Sequence, residues 1–167
     1  MTKILVFTFL LCLYFSTVFG QTQKLILTTE QNNNWLDSLE KYLLDKQLFT
    51  INTRLLSDTN VFVKQSYPDR IKVIDSLGNR VYGYGKPTLI IDGHSMIIDN
   101  KTETSKIIGL TKLLTNHFIK NMSVLSSNDP ATMAIYGSAG MSGIIVMKLT
   151  KKKYLKKFRR LNLKHNY

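Results

Sequence analysis

The apolar positions of this chain change spacing several times, and each change predicts an element. Lys24 to Thr28 (KLILT) reads as a short strand, and Asn32 to Asn34 as a polar break in which Asn34 caps a helix from Trp35. In that helix Trp35, Leu36, Leu39, Tyr42 and Leu43 recur at helical spacing, with Asp37, Glu40, Lys41 and Asp45 on the other side. Leu48 to Leu56 and Val61 to Lys64 then read as strands. Arg70 to Asp75 and Arg80 to Tyr84 alternate around Ser76-Leu77-Gly78-Asn79, which predicts a hairpin. A second hairpin joins Thr88–Ile91 to Ser95–Ile98 through Asp92-Gly93, a pair that tolerates the positive φ a tight turn requires. Thr102 to Asn116 forms a second amphipathic helix, capped by Thr102 or Thr104 and buried through Ile107, Ile108, Leu110, Leu113 and Leu114. Phe118 to Leu125 is again extended.

The most structured stretch is Asn128 to Leu149. Asp129-Pro130 is a helix start, an oxygen placed to accept free N–H groups followed by a ring whose φ suits the first turn. Ala131 to Tyr136 continues that helix and Gly137 ends it. Gly140 and Gly143 bracket a reversal, and Ile144 to Leu149 is a β-branched, apolar strand. Strands and helices alternating with hairpins predict one small α+β domain: a mixed or mostly antiparallel sheet with two main helices.

The ends change the picture. Lys3, the apolar run Ile4–Phe15 and the small residues before Gln21 make residues 1–20 a secretory signal peptide; the run is shorter than a membrane span. Cys12, the one cysteine, lies within that run, so residues 21–167 have no thiol for catalysis, redox pairing or metal binding. The formal charge is +12, and residues 151–167 carry eight Lys and Arg and no acid. Within that tail Tyr154, Leu155, Phe158 and Leu161 fall on one helical stripe. Lys151, Lys152, Lys153, Lys156, Lys157, Arg159 and Arg160 surround it, a composition suited to anionic membrane or lipopolysaccharide surfaces.

No catalytic constellation emerges. Gly137, Gly140 and Gly143 follow a helix and precede a strand, the reverse of a phosphate-binding loop, which needs a helix N-terminus after its glycines. Ser138 sits on the same helix-to-strand turn, unlike a nucleophile elbow. His94 between Asp92 and Asp99 has no second histidine at metal-ligand spacing. The reading is of a protein that is not an enzyme and needs no cofactor or metal.

Two segments carry a resemblance. DPATMAIYGSAGMSGIIVMKLTKK resembles the end of the plug domain of TonB-dependent outer-membrane receptors, nearest the starch-utilisation type, which ends in a run like IYGSxGxxGVIxIxTKK. Lys86 to Ile98, KPTLIIDGHSMII, resembles the family's P-L-x-V-(V/I)-D-G-x-P-I strand. The resemblance covers residues 86–150; residues 21–85 match nothing. It departs at Lys120, Asn121, Ser126 and Ser127, where the family usually has acids and a lysine.

The resemblance implies a plug-like fold over residues 21–150 in the envelope of a Gram-negative bacterium, periplasmic or outer-membrane associated. Pro87, Asp92, Gly93, Ile135, Tyr136, Gly137, Ser138, Gly140 and Gly143 are its structural motif residues. In the family the plug gates a β-barrel, and an inner-membrane transducer pulls it open. Here only a lysine-rich tail follows Leu149. The expected function is therefore a stand-alone, protein-binding accessory of uptake or signalling, partnered by a TonB-type transducer or a receptor barrel. The alternatives are an exported basic protein that binds anionic surfaces through its tail, and a barrel-less receptor fragment. No specific nucleic-acid partner is expected.

Overall fold

Thr28 starts the first helix. Its hydroxyl accepts from the Gln31 N–H (3.2 Å) while the Gln31 side chain accepts from the Thr28 N–H (3.3 Å), a reciprocal cap on two otherwise unpaired donors. Helix α1 is Thr29–Glu40 and α2 is Leu44–Asp58. The computed structural model describes residues 28–59, 72–74, 80–82, 86–96, 98 and 102–163. The expected signal peptide, the strand expected at Lys24–Thr28 up to Leu27, the strand expected at Val61–Lys64, and Tyr84 lie outside these residues.

Two expectations fail here. Asn34 caps nothing, because Asn32, Asn33 and Asn34 are already helical. Leu48–Leu56 is not a strand but the body of α2. The apolar stripe of α1 (Leu36, Leu39) and that of α2 (Leu48, Ile51, Leu55) differ by roughly 120° on one continuous helix, so a straight helix cannot bury both. The chain breaks at Leu43, which is extended (ψ 155°) and 85% exposed. The buried Gln47 side chain then donates to the Leu39 carbonyl (3.1 Å) and ties the two helices. The Thr residues that suggest a strand fit the helix because their hydroxyls donate one turn back, Thr50 to Lys46 (2.7 Å) and Thr53 to Phe49 (2.7 Å).

The first expected hairpin is present as β1 (Lys72–Ile74) and β2 (Arg80–Tyr82), antiparallel with Val73 opposite Val81. The second is β3 (Thr88–Ile91) and β4 (His94–Met96), turned by Asp92 (φ 46°) and Gly93 (φ 77°). Helix α3 is Thr104–Leu113, and Glu103 rather than either threonine occupies its cap position. Ile107, Leu110 and Leu114 are buried, whereas Ile108 is 40% exposed and leaves the expected face.

Strand β5 (Ile119–Leu125), helix α4 (Pro130–Tyr136), a 3-10 turn (Gly137–Ser142) and β6 (Ile144–Leu149) follow as a unit. The main sheet has the order β4-β3-β6-β5, with β3 and β6 parallel and the other pairs antiparallel. Its inner strand β6 buries Ile144, Ile145, Met147 and Leu149, as a strand covered on both faces must. The fold is α+β, one domain around a mixed sheet, and among the described residues three helices are long where two are expected.

After β6, a 3-10 turn (Lys152–Tyr154) and α5 (Leu155–Arg159) fold back on the domain. Phe158 is fully buried and Leu163 nearly so, both within the same core as Leu110 and Ile119. The stripe expected to face lipid therefore faces protein. At least through residue 163, this segment packs with the domain rather than trailing from it.

Candidate functional site

The residues singled out by sequence converge in two places. The first is the junction of β3 and β6, which pairs residues 88–91 with residues 144–147. Thr88 pairs with Ile144 and Ile91 with Met147, and the Thr88 N–H donates to the Gly143 carbonyl (3.0 Å), just after half-buried Pro87. Asp92 has a role that its turn signal does not reveal. Its N–H donates to Met147 O (2.9 Å) and its carboxylate accepts from the Leu149 N–H (3.2 Å), so it extends the β3–β6 ladder past the end of the strand. Asp92 is structural.

Around that ladder the glycine unit is held rigidly. Asp129 caps α4 by accepting from the Ala131 N–H (2.9 Å), and Pro130 opens the helix. Gly137 (φ 56°, ψ −136°) and Gly143 (φ 82°, ψ 161°) occupy backbone regions that side chains resist. Gly140 has an ordinary backbone but no room: a Cβ there would lie 2.8 Å from the Thr132 carbonyl oxygen. Gly137 and Gly143 are thus required by their backbone and Gly140 by lack of space. The backbone of Ser138 runs within the 3-10 turn.

Helix α1 locks this unit from the side, through residues that the sequence pattern marks only as a polar break. Asn32 is 1% exposed; its amide donates to the Ser142 carbonyl (2.9 Å) and its carbonyl accepts from Arg54 Nη2 (2.9 Å). Asn33 donates to Asn128 (3.1 Å) and accepts from the Ser127 hydroxyl (2.6 Å). Leu36, one turn on, lies where a side chain at Gly143 would point. Arg54 in turn pairs with Asp58 (3.6 Å) and stacks on Trp35 (4.1 Å to the ring centre). Residues of α1 and α2 thus clamp the glycine unit. A run of three asparagines was the available signal, but their partners are about a hundred residues away.

Facing outward, the unit carries apolar side chains. Ile135 is 71% exposed, Met141 40% and Met133 38%, while Tyr136 is half-buried. Residues on a short capped helix and a fixed turn lose little further freedom on binding, so this surface is already ordered for a partner.

The second place is the C-terminal face. Lys151, Lys152, Lys153, Lys156, Lys157, Arg159 and Arg160 are all exposed. They are held there by an aromatic cluster beneath, in which Phe118 meets Tyr154 edge-on (5.0 Å) and Phe158 (6.5 Å), and Tyr154 bonds His117 (3.3 Å). His117 thus joins a ring cluster rather than merely following the α3 terminus.

Among the described residues no three His, Cys, Asp or Glu side chains cluster as a metal site. A cavity lined by Trp35, Ile51, Arg54, Leu55, Leu89 and Ile145 has a volume of ≈ 20 Å³, about one water, where ligand pockets need several hundred. The glycines follow the carbonyl end of α4, a poor place for phosphate. No protein-family model, curated protein or solved structure matches the chain.

Proposed function

We propose that this chain is a non-enzymatic, plug-like protein-binding module of the bacterial envelope, an accessory of TonB-linked uptake or signalling. The observation that carries the reading is the exposed apolar surface of the IYGS unit, Ile135 above all, on a scaffold that Asp129, the glycines and Asn32 hold fixed. Apolar side chains presented this way are expected to be covered in a complex. The two segments on which the reading rests are hydrogen-bonded neighbours, β3 beside β6, and so form one unit. The partner under this reading is a receptor barrel or a TonB-type energy transducer, and the protein is exported to the periplasm or outer membrane.

The test is cross-linking of the tagged protein in its own cells, followed by envelope purification and mass spectrometry. Recovery of a receptor barrel or energy transducer, reduced by Ile135→Asp at unchanged thermal stability, supports the proposal. Recovery of neither, or capture indifferent to Ile135→Asp, overturns it. Deleting residues 151–167 is a poor substitute, since it removes Phe158 and Leu163 from the core.

A further inference from the structure

The charge of this protein is distributed by region, and the fold turns that distribution into a surface. From residue 104 to 163 the chain has eleven Lys and Arg and a single acid, Asp129. Seven of those cations lie between Lys151 and Arg160, and all seven are exposed. Alone, such a segment would be a flexible basic tail. Here Phe158 is fully buried, Leu163 is 3% exposed, and Leu161 lies so close to α3 that a Cβ on Gly109 would sit 2.8 Å from its Cδ2. Packing fixes the backbone from β6 to Leu163, so the lysines start from one defined platform. Lys148, also exposed, extends the platform along β6.

We infer that this C-terminal platform is a peripheral docking surface for the phosphate groups of an anionic lipid surface, which it engages by charge without inserting. Three features favour lipid. Between residues 104 and 163 Asp129 is the single acid, and the Asp92 carboxylate at the edge of the platform is engaged by the Leu149 N–H, so the field is predominantly of one sign. Phe158 and Leu163 are buried and Tyr154, Leu155 and Leu161 pack against the core, so the stripe is committed to the domain; a basic amphipathic helix with a free stripe would instead enter the acyl region. The platform's rings are packed edge-to-face with one another (Phe118, Tyr154 and Phe158) rather than displayed singly as stacking platforms for bases, which argues against single-stranded nucleic acid. The platform is separate from the Ile135 surface, and this inference stands or falls independently of the protein-binding proposal.

The experiment is co-sedimentation of the purified chain with vesicles of phosphatidylcholine, plain or doped with phosphatidylglycerol, at low and high salt. Each basic residue near such a surface contributes about fivefold to binding. The variant Lys152→Ser/Lys153→Ser/Lys156→Ser/Lys157→Ser is therefore expected to bind doped vesicles at least about a hundredfold more weakly. The matching Lys→Arg variant keeps the charge and should restore binding; circular dichroism checks that both fold. Support consists of binding to doped but not plain vesicles, lost at high salt and in the serine variant. The inference is overturned by the absence of binding to doped vesicles, by binding that survives high salt or the serine substitutions, or by tighter binding to an oligonucleotide than to the vesicles. It is equally overturned if inorganic phosphate displaces the protein more strongly than chloride of equal ionic strength, since that would mark a discrete phosphate pocket.

Discussion

Substituting Gly143 by alanine separates two demands on one residue. Its backbone (φ 82°, ψ 161°) lies in a region essentially reserved for glycine, and a side chain there costs about 1–3 kcal/mol in strain. Gly137 (φ 56°, ψ −136°) carries a similar strain, but a Cβ there meets nothing within 4 Å. At Gly143 the same Cβ would overlap Leu36 Cδ1 and lie 3.1 Å from the Leu125 carbonyl oxygen. Leu36 is fully buried, so its methyl has no vacant space to enter, and overpacking of this kind adds about 1–3 kcal/mol. Gly137→Ala should thus cost about 1–3 kcal/mol and Gly143→Ala about 2–6, against a total stability of about 5–15. Urea unfolding followed by the fluorescence of Trp35, the one tryptophan, measures both. Adding Leu36→Ala closes a cycle. That substitution alone costs about 2–5 kcal/mol, yet it vacates the space the new methyl needs, so the double variant should fall short of the summed losses by about 1 kcal/mol or more. The relief is partial because the Leu125 carbonyl belongs to the backbone. Equal losses for the two alanines, or a cycle additive within about 0.5 kcal/mol, would refute the account.

Three further substitutions test the other joints. Asn32→Ala removes two buried bonds, one to a guanidinium and one to the Ser142 carbonyl, and should cost about 2–4 kcal/mol in urea unfolding. Asn33→Ala, whose bonds are nearer solvent, should cost less than about 1. Phe158→Ala should cost about 3–5 kcal/mol and lower the melting temperature by roughly 10 °C; a change below about 1 kcal/mol would mean that α5 does not pack as described. Asp92→Asn should be nearly neutral, because asparagine tolerates positive φ and keeps an acceptor for the Leu149 N–H. Asp92→Val, which loses both, should cost about 2–4 kcal/mol by the same assay.

What could be read in the sequence was what a few adjacent residues decide. Asp92-Gly93 requires positive φ and forms its turn; Asp129-Pro130 supplies an acceptor and a fixed φ and starts its helix. The α1–α2 break was hidden because each apolar stripe is helical on its own, and only their relative phase shows that one helix cannot serve both. The strand reading of Leu48–Leu56 followed from Thr and Ile, whose β preference yields to burial of Leu48, Ile51 and Leu55. Asn32 was unreadable for a different reason. Its meaning lies in a bond to a residue 110 positions away, and no local pattern distinguishes a clamped asparagine from a solvated one.

The C-terminal segment shows where such reading stops. A helix with an apolar stripe and a basic remainder satisfies two environments equally, a bilayer interface and the flank of a folded domain, because both need only that the stripe leave water. The deciding quantity is the fit of the surface that receives it. Gly109 is the residue that creates this fit: without a side chain it lets Leu161 approach α3, and Phe158 and Leu163 are buried in the same core. Once the stripe is committed inward, the lysines that would have flanked a membrane-inserted helix become an outward electrostatic face. The same residues then act at a distance set by salt rather than by insertion depth. A valine at Gly109 should therefore weaken vesicle binding only as far as it unfolds α5. If it instead strengthened binding and made it salt-resistant, the free stripe would be the stronger membrane ligand, and the docked state would be the one that restrains it.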